Sequence, residues 1–134
     1  MITTLSVKTS SHGEFVDITS EVTAIVKKSG EEDGLAVIYV PHTTAGITIN
    51  EHADPSVASD MLKTLDQIVP WNNNYQHSEG NSAAHIKASM MGSAVRVIIE
   101  SGKPVLGTWQ GIFFCEFDGP RSRKVIVKVL TNTK

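Results

Sequence analysis

The segment from residue 76 to residue 89 carries more reactive side chains than a structural loop needs. It contains two imidazoles, His77 and His85, together with the carboxylate of Glu79 and the ammonium of Lys87. A histidine can transfer protons near neutral pH, and a lysine can hold an anionic ligand. The segment is therefore the first candidate for a functional site.

Three histidines in polar stretches are predicted metal ligands: His42, His77 and His85. Neutral imidazole binds zinc and similar ions, and three protein ligands leave one position open for water or substrate. A divalent metal, Zn or Mg, is therefore the expected cofactor. The spacing of His77 and His85 is not a known helical ligand pair, and the alternative is that each histidine is a hydrogen-bonded residue near the surface.

A Gly-Asn-Ser bend before a predicted helix offers backbone amides to an anion. The bend consists of Gly80, Asn81 and Ser82, and the dipole of the following helix favours bound phosphate. The alternative is a capped turn, in which Ser82 caps the helix and Gly80 supplies the bend. Arg121 follows an Asp-Gly-Pro turn and can pair with a phosphate through two hydrogen bonds.

Two more polar stretches carry candidate side chains. Asp54 has a structural role as a helix cap, so Glu51 is the better candidate for a general base or a cation ligand. Trp109 has small and polar neighbours, which favour an accessible ring that stacks on a planar ligand. The alternative for Trp109 is a place in the core.

The composition predicts a single soluble domain over residues 1–134, with 40% hydrophobic and 19% charged residues. A net charge of −2 argues against a broad nucleic-acid surface, and no apolar run is long enough to cross a bilayer. The N-terminus lacks a secretory signal, and the single cysteine, Cys115, fits a reducing compartment and a place in the core. A cytoplasmic protein without nucleic-acid or membrane partners is expected.

Periodicity and turn residues predict three helices among about seven strands. The helices extend from residue 19 to a stop at Gly30, from residue 54 to about 68, and from residue 82 to about 91. The clearest strands are residues 35–40, 46–50, 94–100, 105–117 and 124–131. Because the order shows no regular βαβ repeat, the expected fold is a compact α+β domain with a mostly antiparallel sheet of sandwich or barrel type.

Five stretches of the chain together resemble one protein family. They are His42-Thr-Thr-Ala-Gly46, Asn50-Glu51 with Asp54-Pro55, Glu79-Gly-Asn with Ala84-His85, Gly107-Thr-Trp-Gln-Gly111, and Cys115-Glu-Phe-Asp-Gly-Pro-Arg121. In this order they resemble the YjbQ family, also called secondary thiamine-phosphate synthase-like proteins. The likeness covers nearly the whole chain and implies a single α+β domain of β-sandwich character that assembles as a homotrimer.

The resemblance also implies a weak or secondary transferase activity. A hydroxymethylpyrimidine diphosphate would be joined to a thiazole phosphate, giving thiamine phosphate and releasing diphosphate, so a small phosphorylated metabolite is the expected partner. The matching motifs carry over these site residues: His42, Glu51, His77, Glu79, Asn81, His85, Thr108, Trp109, Gln110, Glu116 and Arg121.

The candidate residues divide into expected roles. The catalytic set is Glu51, Glu79, His85 and Glu116, and the carboxylates of the three glutamates would position a metal or accept a proton. The substrate-binding set is Thr44, Gly80, Asn81, Ser82, Lys87, Thr108, Trp109, Gln110 and Arg121. A divalent cation, Arg121, Lys87 and the helix N-terminus would neutralise the departing diphosphate.

Two other functions are open at this point. One is a non-catalytic oligomer that binds a metal or a phosphorylated metabolite for storage, sensing or repair. The other is a phosphoester hydrolase that uses a metal-bound water, which would follow from three histidine ligands.

Overall fold

The computed structural model describes residues 2–132, where eight strands and three helices form. The strands are β1 (Ile2–Lys8), β2 (Glu14–Asp17), β3 (Asp33–Tyr39), β4 (Ala45–Glu51), β5 (Ala94–Glu100), β6 (Lys103–Pro104), β7 (Gln110–Glu116) and β8 (Ser122–Thr131). The helices are α1 (Thr19–Ser29), α2 (Pro55–Ile68) and α3 (Ser82–Met91). The predicted α+β class is confirmed.

The strands form two antiparallel sheets. The larger sheet has the order β1-β8-β3-β5-β6, and the smaller has the order β2-β7-β4. Apolar side chains from both sheets and from α1 form one buried cluster, which includes Ile38, Val127, Ile47, Phe114 and Val22. The two sheets therefore pack face to face in a sandwich-like arrangement, with α1 contributing to the core between them.

A second apolar cluster covers the other face of the smaller sheet. Phe113, Cys115 and Phe117 pack there against Leu65 of α2 and Ala88 of α3. Alternate side chains of β7 therefore point to opposite layers, as the period of a strand requires, and both layers are buried. This second layer fixes α3, which carries the candidate site. Cys115 is a buried free thiol, as expected, and burial raises its pKa.

The helix ends follow the predicted signals, with one exception. The Asp54 carboxylate accepts a hydrogen bond from the Ser56 amide at 2.9 Å, and Gly30 ends α1 with a φ of 74°, which glycine adopts readily. The expectation that Ser82 caps α3 is wrong, because Asn81 occupies the cap position and Ser82 is already helical.

One predicted strand is shorter than expected. Residues 105–109 do not extend β7, because a turn forms in which the Gly107 amide donates to the Gln110 side chain at 2.7 Å. The Gln110 amide donates in return to the Gly107 carbonyl at 3.1 Å. Within residues 2–132, no helix has the length and apolar character that crossing a membrane requires.

Candidate functional site

The C-terminal end of α3 lies directly against β4. The Ile47 amide donates to the Gly92 carbonyl at 3.1 Å, and a Cβ at Gly46 would lie 2.9 Å from the same oxygen. Such a close approach of helix to strand requires glycine at position 46. It brings the middle of α3 beside the loop that follows β3, which carries His42.

Two adjacent cavities meet at His85. The first has a volume of about 490 Å³ and is lined by His42, Thr43, His85 and Ser89, among others. The second, of about 410 Å³, includes His77, Ser82 and again His85 in its lining. The rings of His77 and His85 contact each other edge to face, with 5.4 Å between their centroids. We call the surface formed by His42, His77 and His85 the histidine face.

His42 is held as a neutral imidazole. Its Nε2 accepts a hydrogen bond from the backbone amide of Lys124 at 2.9 Å, which places the ring proton on Nδ1. Partial burial lowers its pKa, and the positive charge of Arg123 lowers the pKa further. By contrast, neither ring nitrogen of His85 has a hydrogen-bond partner among residues 2–132; its backbone amide donates to the Asn81 carbonyl, and its carbonyl accepts from the Ser89 hydroxyl.

The lowered pKa of His42 predicts a loss of stability on mild acidification. The unfolded chain takes up a proton near the ordinary histidine pKa of 6.5, whereas the folded chain takes it up only at lower pH. Stability due to this group is therefore present above that value and falls as pH drops below it, by at most about 1.4 kcal/mol per pH unit.

Urea unfolding at about pH 7 and about pH 5 measures this dependence. We expect His42→Gln to lose less stability over the interval than the wild type. Ser89→Ala, a change at a residue of the same cavity whose side chain does not titrate, is the matched control and should keep the wild-type slope. Equal slopes for the wild type and His42→Gln would contradict the assignment.

The prediction that the protein binds a metal through three histidines is wrong. Among the described residues, no group of three or more histidine, cysteine, aspartate or glutamate side chains is arranged to hold a metal ion. For His42 the reason is visible, because the Lys124 amide occupies the Nε2 lone pair. A divalent cofactor that arrives with a ligand's own phosphate stays a prediction.

Glu116 lies in the interior between the two sheets, with none of its surface exposed. It pairs with Arg123, whose Nε donates to Oε1 at 2.9 Å and whose Nη2 donates to Oε2. Thr9 donates to Oε1 at 2.7 Å, and the Asp118 amide donates to Oε2 at 3.0 Å. Burial alone would raise the pKa of Glu116, but the hydrogen bonds from Arg123, Asp118 and Thr9 outweigh burial and lower it. The catalytic role of Glu116 stays a prediction. Its hydrogen bonds with Arg123 connect the two sheets.

The buried ion pair also fixes the loop between β3 and β4. Arg123 Nη2 donates to Thr44 Oγ1 at 2.9 Å. The predicted ligand-binding residue Thr44 is therefore buried, and its hydroxyl oxygen already accepts a hydrogen bond from Arg123. Arg123 and Thr9 were not predicted as candidates. A signal for Arg123 exists in the alternation of β8, where Arg123 shares its parity with Val125 and Val127, which face the core.

Asn81 and Arg121 meet at one carboxylate, that of Asp118. Asn81 Nδ2 donates to Asp118 Oδ2 at 3.0 Å, and Arg121 Nη2 donates to the same oxygen at 3.1 Å. Arg121 Nε also donates to the Asp118 carbonyl at 2.7 Å. Arg121 therefore folds back on its own turn, and Asn81 turns away from the helix that it precedes. The buried Asn81 Oδ1 has no partner among the described residues.

Lys87 does not share the histidine face. It lies two residues after His85, and two residues of an α-helix span about 200°, so the side chains point to opposite sides of α3. Lys87 pairs with Asp66 of α2 and lines a different cavity. Glu79 remains near the histidine face, with Oε1 3.8 Å from His77 Nε2, and is mostly exposed. Gly80 is exposed, with a φ of 76°.

The remaining candidates lie at the far end of the smaller sheet. In the β4–β7 register, Glu51 pairs with Gln110 and Ala45 pairs with Glu116. Six residues of strand separate the two ends, which corresponds to about 20 Å. Glu51, Thr108, Trp109 and Gln110 are therefore not brought to the histidine face within one chain. Trp109 is 63% exposed, as the sequence favoured.

A family model described as UPF0047 protein YjbQ-like matches residues 3–132. The chain belongs to the YjbQ-like UPF0047 family. Among the family's proteins, UPF0047 protein YugU of Bacillus subtilis is 53% identical over 131 residues, covering 97% of this chain and 99% of YugU. A UPF0047 protein of Methanocaldococcus jannaschii is 55% identical over 130 residues, covering 97% of this chain and 94% of its own length. The resemblance read from the motifs is confirmed.

Solved structures from the family have the same fold. An uncharacterized conserved family protein from Clostridium acetobutylicum is 58% identical, with a TM-score of 0.94 over 96% of this chain and 99% of its own. A family protein of unknown function from Sulfolobus solfataricus is 36% identical, with a TM-score of 0.95 over 98% of this chain and 97% of its own.

These family relatives correct the predicted activity. YugU and the Methanocaldococcus protein carry only a family designation, and the two solved structures are described as uncharacterized or of unknown function. None of these four names a thiamine-phosphate synthase or any other transferase. The prediction of a thiamine-phosphate synthase-type transferase is therefore wrong as an assignment from the family.

Proposed function

We propose that the protein binds a small phosphorylated metabolite at the histidine face. The observation that carries this proposal is the make-up of the two cavities that meet at His85. Their linings include three imidazoles and several hydroxyls, and none of the lining residues that the structure describes carries a carboxylate. A phosphate entering there would meet hydrogen-bond donors, and the Glu79 carboxylate, 3.8 Å from His77 Nε2, lies outside the lining.

The start of α3 supports the same ligand. The Asn81 side-chain amide donates a hydrogen bond to Asp118. Among the described residues, no side chain caps the first turn of the helix. The first backbone amides of a helix attract anions when no side chain accepts from them. Ser82, the first residue of α3, also lines the cavity of His77 and His85.

The two central histidines would contribute differently to the bound ligand. His42 is fixed by the Lys124 amide and offers its Nδ1–H as a hydrogen-bond donor. The imidazole of His85 is free of hydrogen bonds to the described residues, so it is the group that would exchange a proton with a bound phosphate ester.

Histidine ring resonances, titrated with inorganic phosphate and with glycerol 3-phosphate, test the proposal. We expect saturable shifts at His42, His77 and His85. His85→Gln should weaken binding about tenfold or more, because a hydrogen bond to a charged group is lost. His52→Gln is the matched control, since His52 pairs with Asp17 at the far end of β4 and should leave the affinity unchanged.

Three results would contradict phosphate binding at this face. They are the absence of saturable shifts at the three rings, equal binding of glycerol without its phosphate, and an unchanged affinity in His85→Gln. An unchanged affinity in His85→Gln would mean that phosphate binds elsewhere on the protein and not at the histidine face.

Assembly and location are further parts of the proposal. Apolar side chains lie on the outer face of the larger sheet, where Leu35 pairs in register with both Ile98 and Leu130. Ile98 and Leu130 are exposed, which supports assembly of copies into the homotrimer that the resemblance implies. A cytoplasmic location is supported by the free thiol of Cys115.

A further inference from the structure

A third cavity lies on the opposite side of α3, between the loop of residues 9–13, α2 and the end of β7. Its volume is about 350 Å³, and it is lined by Ser11, His12, Gly13, Leu62, Asp66, Lys87 and Phe117. The cavity shares no lining residue with the two cavities of the histidine face.

The ammonium of Lys87 is nearly enclosed at the wall of this cavity. The side chain is only 7% exposed, and Nζ lies 6.0 Å from the centre of the Phe117 ring. Its one hydrogen-bond partner among the described residues is Asp66, whose side chain is 74% exposed. An ammonium has three donors, so two are unused by the described part of the chain.

Structural stability does not account for this lysine. Enclosing an ammonium costs free energy of desolvation, and a mostly exposed carboxylate returns little of it because water screens the pair. Replacement of an enclosed charged pair by an apolar side chain of similar size is often neutral or stabilising. A charged group kept at such a position is therefore better explained by a ligand than by folding.

The rest of the lining indicates the class of ligand. Leu62 and Phe117 provide apolar surface beside the ammonium, and His12 stands at the cavity with its ring edge-on to Trp71, 4.5 Å between centroids. The Asp66 carboxylate already pairs one negative charge with the Lys87 ammonium. A ligand with a single negative charge can replace that carboxylate, whereas a doubly charged phosphate would leave an excess of negative charge.

We propose that this cavity is a second ligand site, in which Lys87 binds the carboxylate of a small organic acid with an apolar body. The acid takes the place of Asp66 on the ammonium, and its apolar part packs between Leu62 and Phe117. This site is independent of the phosphate site proposed for the histidine face.

Benzoate is the probe, and neutral benzamide is its matched control. Amide resonances of Ser11 to Gly13 and of Lys87 report occupancy during a titration of the full-length protein. We expect saturable shifts with benzoate and none with benzamide. Lys87→Met should weaken benzoate binding about tenfold or more while the protein stays folded. Asp66→Asn removes the competing carboxylate and should strengthen binding several-fold.

The Asp66→Asn variant separates a ligand site from a simple ion pair. If Lys87 and Asp66 only stabilise the fold, Asp66→Asn lowers stability and gains no affinity for benzoate, and that result would overturn the proposal. Equal benzoate binding by Lys87→Met, or tighter binding of inorganic phosphate than of benzoate in this cavity, would also overturn it. His85→Gln should not change benzoate affinity, so failure of the phosphate site does not affect this test.

Discussion

Replacement of Glu116 by alanine is expected to lower the free energy of unfolding by about 3–5 kcal/mol. The change leaves the Arg123 guanidinium inside the sandwich without its counter-charge. It also removes the acceptor of the Thr9 hydroxyl and of the Asp118 amide. Denaturation in guanidinium chloride measures the loss as a lower midpoint at an unchanged slope.

Glu14→Ala is the matched control for this prediction. Glu14 is the register partner of Glu116 on β2, but it lies nearer the surface and bonds to Ser10. Its loss should cost about 1 kcal/mol. The double variant Glu116→Leu with Arg123→Met should recover most of the stability, because it leaves no buried charge. A similar loss for Glu116→Ala and Glu14→Ala would contradict the importance of the pair.

The same pair gives the protein a second acid-sensitive group. The pKa of Glu116 is lower in the folded chain than its ordinary value of 4.5. Its contribution to stability is therefore complete above that value and is lost as the pH falls through the folded pKa. This loss begins below pH 4.5, outside the interval from about pH 7 to about pH 5 in which His42 is measured, so the two groups can be told apart.

The second large effect is expected at the contact of α3 with β4. In Gly46→Ala, the new methyl would meet the Gly92 carbonyl at 2.9 Å, the Met91 Cβ at 3.0 Å and the Ala88 carbonyl at 3.1 Å. Two of these atoms are backbone, so α3 must shift. We expect a loss of about 1–3 kcal/mol and altered ring resonances of His85.

Gly13→Ala is the matched control for that change. A Cβ at Gly13 would meet its nearest atoms at 3.7 Å and 3.8 Å, which are ordinary contacts. Stability should change by less than about 1 kcal/mol. Unaltered stability and His85 resonances in Gly46→Ala would contradict the view that this contact positions the histidine face.

Local signals were sufficient for the helices. Three local features mark helix ends: Asp54 caps α2, Pro55 occupies its first position, and Gly30 ends α1. Each acts on the backbone next to it, so each indicates a helix end without information from the rest of the chain. The Gly107–Gln110 turn was missed because the same apolar residues that suggest a strand also occur where a side-chain bond forms a turn.

The arrangement of the candidate site depended on contacts between distant residues. His42 meets Lys124, and Asn81 meets Asp118, across 82 and 37 residues respectively. Sequence motifs named most of these residues but not their partners. They also grouped His85 with Lys87, which are neighbours in the chain and lie on opposite sides of one helix.

Amide hydrogen exchange should differ sharply between β7 and the segment that carries His77. Residues 113–116 of β7 pair with β2 on one side and β4 on the other and are buried on both faces, so their amides exchange when the whole fold opens. The segment from residue 76 to residue 80 has exposed side chains and few backbone bonds, so it opens at little cost in free energy. Capture of a ligand would therefore slow exchange in that segment, and it would also slow exchange in β7, because a ligand that binds only the folded chain raises the free energy of global unfolding.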